Sequence, residues 1–338
     1  MPDLSIEVTN ACNRDCIHCL RDKLEPKEHL SLDIFKEILN HASNYGITHI
    51  SLTGGEPTLH PSWADLLIAL SERKLKFSFV SNGSLFKQKV LPSLAVPIVK
   101  RHLDSVCLSL DGAFEKSHDI LRGKNSFTEV VEAANLCRLS GFPLSFKTVV
   151  TNANKNELTE IALLGSNLGA TQHSFLTLVP TPRLLEDELI PSFKETKKIY
   201  SFITGSLLPS IKTEILMEGS WGNDNALFSC NAYQQSYAID HLGNMIFCCN
   251  LSHVYTGEKT SIMGREFLCS LKIKDFKECI ISHYELLSLF TSDRLNSNSV
   301  SDCFYPYPCL WCLNYFGKLK WIENFSNSPW INELLSKH

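Results

Sequence analysis

Nowhere in the 338 residues is there an apolar run of the about 20 residues that a membrane-crossing helix requires. The most apolar stretch, residues 90–99, is short and broken by prolines. The opening Met1-Pro2-Asp3-Leu4 has no basic region, no long apolar core and no small-residue cleavage site, which excludes a signal peptide. Neither sign of charge dominates: 32 Lys and Arg stand against 36 Asp and Glu, a net charge of −4. That balance argues against a nucleic acid held through a general basic surface. There is no repeat of fixed period and no low-complexity linker. These absences leave a cytoplasmic globular protein. Its 44% hydrophobic content is ordinary and sufficient for a sizeable core, and its length suits one large domain plus a smaller one.

Cysteine, in contrast, is abundant. There are 13 cysteines, but the number is odd, the chain is large and no export signal is present, so a disulfide framework does not fit. In a reducing compartment clustered cysteines more often bind metal, and these are clustered.

The chain alternates strands and helices. Residues 4–9 alternate and are β-branched, predicting a strand. Residues 31–44 begin with a serine cap and carry Leu32, Phe35, Ile38, Leu39 and Ala42 at helical spacing. Strands follow at 47–53, 77–81, 104–110, 144–151 and 172–179, with helices at 61–71, 127–140 and 156–168. Six strands alternating with helices predict parallel βα units with right-handed crossovers. Six are too few for an eight-stranded barrel, so the expected fold is α/β, a partial (βα)6 TIM-like barrel. Function is expected on the loops that leave the strands' C-terminal ends. Beyond about residue 186 the pattern changes: a helix at 191–203, irregular cysteine-bearing sequence, a hairpin of 237–239 and 245–248 turning at Gly243-Asn244, short helices near 276–289, and an aromatic, Asn- and Ser-rich tail at 325–337. The expected division is a barrel over 1–205 and a small α+β domain with the tail over 206–338.

Directly after the first strand stand Cys12, Cys16 and Cys19, a C-x3-C-x2-C spacing. Three thiolates on one loop can ligate three irons of a cubane and leave the fourth without a protein ligand. An open iron suits the binding of a chelating co-substrate. A zinc knuckle is the competing reading, but structural zinc sites are closed by four ligands, and His18, lying between two of the cysteines, makes a cage awkward. At this point the sequence resembles the radical S-adenosylmethionine (SAM) superfamily. Thr53-Gly54-Gly55-Glu56-Pro57 at the second strand end is similar to that family's Gly-Gly-Glu motif, Ser81-Asn82-Gly83 to its Asn-Gly turn, and Ser109-Leu110-Asp111-Gly112-Ala113 with Leu121-Arg122-Gly123 to a signature of its peptide- and small-molecule-modifying branch.

The resemblance implies a [4Fe–4S] cluster on Cys12, Cys16 and Cys19, and SAM bound near His18, Gly54, Gly55, Glu56, Asn82, Ser109, Asp111 and Arg122. For His18 a loop histidine facing solvent is an equal alternative. Pro180-Thr181-Pro182-Arg183 departs from a Pro-Thr-Gly-Arg variant, which leaves Arg183 without an assigned role.

A second constellation lies in the C-terminal third. Cys230-x12-Gly243-x4-Cys248 brackets the hairpin, and Cys309-Leu310-Trp311-Cys312 is a tight C-x2-C. This looks like a twitch domain, the shortened relative of the SPASM domain, with Cys230, Cys248, Cys309 and Cys312 holding one auxiliary [4Fe–4S] cluster; a zinc site on the same four is the alternative. Cys249 should point away from Cys248 across the strand, Cys303 is a stand-in, and Cys107, Cys137, Cys269 and Cys279 read as plain buried thiols.

By this resemblance the protein cleaves SAM reductively to a 5′-deoxyadenosyl radical and takes a hydrogen atom from a substrate, with a reducing partner such as flavodoxin or ferredoxin. The first strand begins at Leu4, so no leader-binding domain is expected ahead of it. That tilts the expectation towards a small molecule such as a sugar, cyclitol or nucleoside. The alternative is a maturase that crosslinks or oxidises a ribosomally made peptide, and a reading from another class is a non-catalytic iron–sulfur or zinc-binding protein. No catalytic side chain is identified; Glu218 and Asp240 read equally well as solvated surface.

Overall fold

The computed structural model describes residues 3–219, 221, 230, 236–256, 264–297 and 303–336. Part of the irregular stretch before the hairpin, and Lys337 at the end of the tail, lie outside the described residues.

Seven parallel strands form the body of the sheet: β1 (Asp3–Thr9), β2 (His49–Gly54), β3 (Lys76–Ser81), β4 (Leu103–Ser109), β5 (Leu144–Val149), β6 (Gln172–Leu176) and β7 (Glu214–Glu218), each hydrogen-bonded to the next. Their alternation explains both faces. Leu4, Ile6 and Val8, Ile50 and Leu52, Phe77 and Phe79, and Val106 and Leu108 all point into one core with the helices. Each such buried side chain contributes about 1.5–3 kcal/mol. The intervening positions are small and polar: Ser5 pairs in register with Ser51, Ser51 with Ser78 and Ser78 with Ser105. Ser105 and Ser145 join hydroxyls at 2.8 Å.

Local signals act as the sequence predicts. Ser31 accepts a hydrogen bond from the Ile34 amide and starts helix Leu32–Asn44, which buries Phe35, Ile38, Leu39 and Ala42. Four features differ from expectation. A seventh parallel strand, β7, pairs with β6 and extends the sheet. The expected strand at 172–179 ends at Leu176, where pairing with Glu218 stops. The expected short helices near 276–289 are one helix, Phe276–Asn296. Finally, Cys269 and Cys279 are not plain thiols but form a disulfide, because β10 (Phe267–Ser270) packs on the start of that helix with the two Cα atoms 5.5 Å apart.

The hairpin of β8 (Ser236–Ile239) and β9 (Asn244–Ile246) does not stand apart. β8 pairs parallel with β1, and β10 pairs with β9, giving one open ten-stranded sheet ordered β10-β9-β8-β1-β2-β3-β4-β5-β6-β7. Asp240 builds the hairpin turn. It is fully buried rather than solvated, and its carboxylate accepts from the Leu242 and Asn244 amides while Gly243 turns at φ +82°. A second hydrophobic core, including Phe247, Phe290, Trp311, Phe316 and Trp330, gathers the C-terminal helices against this end of the sheet. Among the described residues no helix is long and apolar enough to cross a membrane.

Candidate functional site

The loop after β1 carries Cys12, Cys16 and Cys19, and it is held by the end of β2. The Gly55 amide donates to Thr9 O and the Glu56 amide to Ala11 O, both at 2.8 Å. This closeness is why two glycines are needed. A Cβ on Gly54 would sit 2.2 Å from Thr9 O, and one on Gly55 2.2 Å from Ala11 O; Gly54 also takes φ +141°. The glycines thus dock the strand end on the cysteine loop.

Around that loop opens a cleft of about 310 Å³, whose walls include Cys12, Cys16, Cys19, His18, Gly54, Gly55, Glu56, Asn82, Ser109 and Arg122. Apart from Asp111, which lies one bond behind, every residue expected to bind SAM or its cluster borders this one space. Glu56 is buried and accepts on Oε1 from the Thr58 amide (3.3 Å), Thr58 Oγ1 (2.6 Å) and Ser81 Oγ (2.9 Å), and on Oε2 from the Asn82 amide (2.8 Å). A carboxylate offers about four acceptor sites, two on each oxygen. Oε2 therefore keeps capacity for one more donor, such as an ammonium in the cleft. Burial raises the Glu56 pKa, opposed by these donors.

Asp111 is fully buried. Its carboxylate accepts from the Val149 amide at 2.8 Å, pairs with the Arg122 Nε, and lies 3.2 Å from His18 Nε2. Burial alone would raise its pKa; Arg122 first and His18 next overcome it and hold the carboxyl far below the usual range. His18 consequently does not face solvent. Its side chain is 6% exposed, and its Nδ1, buried at the cleft, has no hydrogen-bond partner. Arg122 extends Nη1 to within 3.9 Å of Cys16 Sγ, linking the β4 loop to the cysteine loop. Arg183 lies on a different wall, paired with Asp15 at 2.7 Å. Desolvation pushes the Cys12 thiol up to about 11 and raises that of Cys16.

The sequence reading missed two cations here. Lys147 projects from β5 into the cleft and pairs with Glu218 of β7 at 2.7 Å, so Glu218 is not a plain surface acid. Burial works against the Lys147 ammonium, and Glu218 more than restores its charge. Arg21, just past the motif, pairs with Glu7 of β1 at 2.5 Å. The available signal was a lone charge inside each alternating strand, Lys147 in Leu-Ser-Phe-Lys-Thr-Val and Glu7 in Leu-Ser-Ile-Glu-Val-Thr.

The second cysteine group assembles where the hairpin meets the last helices. Cys309 and Cys312 lie on helix Pro308–Tyr315, and Cys312, Cys230 and Cys249 all stand near enough to add to the rise that burial imposes on the Cys309 thiol. Cys248, Cys230, Cys303 and Cys312 pack on the second core, whereas Cys249 turns into the cleft beside Cys19 and Lys147. Cys249 is lowered to about 7, first by the hydrogen bond from Cys248 and then by Arg21 and Lys147. Among the described residues no three His, Cys, Asp or Glu converge as ligands of a single metal ion. The thiolates of a cubane, each on a different iron, need no such convergence. Three cysteines on one loop docked by two glycines, open to the cleft and beside an acid with a free lone pair, fit an iron–sulfur cluster and its SAM.

Residues 6–165 match the model of the radical SAM superfamily. Over 254 residues the chain is 30% identical to mycofactocin maturase MftC of Mycolicibacterium smegmatis, a match covering 72% of this chain and 63% of that protein. It is 29% identical over 190 residues to the AdoMet-dependent heme synthase of Methanosarcina barkeri, covering 55% and 53% respectively. The fold is shared with SuiB of Streptococcus suis bound to S-adenosylmethionine (TM-score 0.66, 18% identity, 81% of this chain and 64% of that one). It is shared also with anSMEcpe with bound AdoMet and Kp18Cys peptide (TM-score 0.66, 16% identity, 99% of each chain). Residues 6–165 thus carry a radical SAM domain, the domain of a class of enzymes that use a [4Fe–4S] cluster and SAM. The chain spans a little under two thirds of the length of the maturase it matches, 63%.

Proposed function

We propose that this chain is a radical SAM maturase that oxidises or crosslinks a peptide. The observation that carries the radical SAM reading is the convergence of Cys12, Cys16, Cys19, Gly54, Gly55, Glu56, Asn82, Ser109 and Arg122 on one cleft. The relatives supply the support for a peptide. MftC is named a maturase, SuiB is described bound to its precursor peptide SuiA, and anSMEcpe is described with a peptide. They weigh against the small-molecule substrate expected from the sequence. The heme synthase favours a small molecule as the second reading.

A [4Fe–4S] cluster held by Cys12, Cys16 and Cys19 would supply the one-electron reductive cleavage of bound SAM. The protein's part is placement and shielding. Cys12, Cys16 and Cys19 hold the cluster. Glu56 Oε2 offers its remaining lone pair to an ammonium, Arg122 is kept cationic and in position by Asp111, and Ser109 and Asn82 give hydrogen bonds from the strand ends. Val80, Val149 and Leu176 form an apolar wall that excludes water from a reactive radical. Cys230, Cys248, Cys309 and Cys312 hold the auxiliary cluster. We place the division between barrel and auxiliary domain near residue 205, although the sheet runs through both, and the enzyme in the cytoplasm with a flavodoxin- or ferredoxin-like reductant.

The test is anaerobic reconstitution followed by dithionite and SAM. Formation of 5′-deoxyadenosine is expected, and its absence overturns the enzyme reading. A mass change in a short peptide encoded beside the gene supports the maturase; a change confined to a small molecule selects the second reading.

A further inference from the structure

The loop after Cys19 and the segment after Cys249 are stitched together. The Tyr255 amide donates to Leu20 O and the Asp22 amide to His253 O, both at 2.8 Å, with Arg21 and Val254 bridged antiparallel between them. Across this seam lies one charge pair, its carboxylate buried and its guanidinium partly exposed. Arg21 Nη1 is 2.5 Å from Glu7 Oε1 and donates to Ser252 O at 3.4 Å, and Ser252 Oγ donates to Glu7 Oε2 at 3.0 Å. Glu7 is 2% exposed. Arg21 lines all three cavities that surround the first cysteine loop, and in the largest it stands with both Cys19 and Cys249. A guanidinium that is never deprotonated therefore sits beside the first cysteine loop and Cys249, fixed by strand β1 on one side and by the post-hairpin segment on the other.

We propose that Arg21 is a positioning residue of the first cysteine site: its fixed positive charge raises the reduction potential of the cluster on Cys12, Cys16 and Cys19, and Glu7 tempers that effect. This inference rests on the cluster reading given above. Reduction adds one electron, taken from the external reductant, to a cluster already surrounded by thiolates. A nearby cation in a poorly solvated site favours the more negative form, and a nearby anion disfavours it. The two members of the pair therefore act with opposite sign, which a merely structural salt bridge would not do.

The full-length protein, reconstituted anaerobically, is titrated with dithionite and redox mediators while the electron paramagnetic resonance signal that shifts on adding SAM is followed. Arg21→Met is expected to lower the reduced-to-oxidised ratio at fixed potential at least tenfold, a displacement of about 59 mV for one electron. Glu7→Gln is expected to move the potential the other way, and Arg21→Lys to stay near the wild type. Arg21→Met with wild-type iron content, wild-type melting temperature and an unchanged potential overturns the proposal. If Arg21→Met does not fold, Glu7→Gln decides, and a potential that fails to rise overturns it. A wild-type protein that takes up no iron, or has no SAM-sensitive signal, overturns the cluster reading itself.

Discussion

At the residue scale the site depends on a few buried charges. Asp111 has no solvent to relieve it and holds Arg122 against Cys16. Asp111→Asn leaves that guanidinium with no ionised partner, and breaking a buried pair from one side costs about 3–5 kcal/mol. Denaturant melts of the apo-protein should show a loss of that order, with weaker SAM binding after reconstitution. Cys12→Ala should abolish 5′-deoxyadenosine formation, measured by chromatography, while iron at the second site is retained. A third residue-scale effect is pH-dependent. His173 is fully buried between Phe146 and Phe175, hydrogen-bonded to Thr148 Oγ1 at 2.8 Å, and burial lowers its pKa to about 3. The unfolded chain binds this proton near the ordinary 6.5, so the contribution is fully present above pH 6.5 and is lost as the pH falls towards 3. The slope is about 1.4 kcal/mol per pH unit. His173→Gln should flatten the acid limb of a melting-temperature profile.

Among the elements, the tightest joint is that of β2 on the cysteine loop. Gly55→Ala would put a methyl 2.2 Å from Ala11 O, a backbone atom that cannot step aside. A cost of about 1–3 kcal/mol and a loss of iron from the first site are expected, measured by calorimetry and iron analysis. Most elements were legible in the sequence because their signals are local: the Ser31 cap, the alternation of β1 to β6, and the Asp240-to-Asn244 turn. β7 was not, because Glu-Ile-Leu-Met-Glu has no β-branched run and earns its strand only by pairing with β6. The first cysteine loop and its strand-end partners were legible as motifs. Lys147 and Arg21 were not, since each acquires meaning from a partner far along the chain, Glu218 and Ser252 respectively. Cys269 and Cys279 likewise look like isolated thiols until β10 and its helix are packed together.

For the whole molecule, two cores and two cysteine groups share one sheet. Cys309→Ala should lower the iron content of the reconstituted protein while slow cleavage of SAM without product continues; unchanged iron would remove Cys309 from the ligand set. The cleft receives Cys249 from the post-hairpin segment and the three motif cysteines from the loop after β1, so a molecule bound there would touch both segments of the chain.

The pairing of β8 with β1 also dictates an order of assembly. During synthesis the first strand leaves the ribosome with one long edge bare, and its natural neighbour on that side is more than two hundred residues from being made. Until that late hairpin arrives, the earliest iron-binding loop rests on a half-finished support, exposed both to mispairing with other chains and to premature metal. On the cluster reading proposed above, iron delivery is best suited to the completed polypeptide, and a translational pause or truncation before the hairpin would yield a chain with Cys12, Cys16 and Cys19 but without the strand that flanks β1.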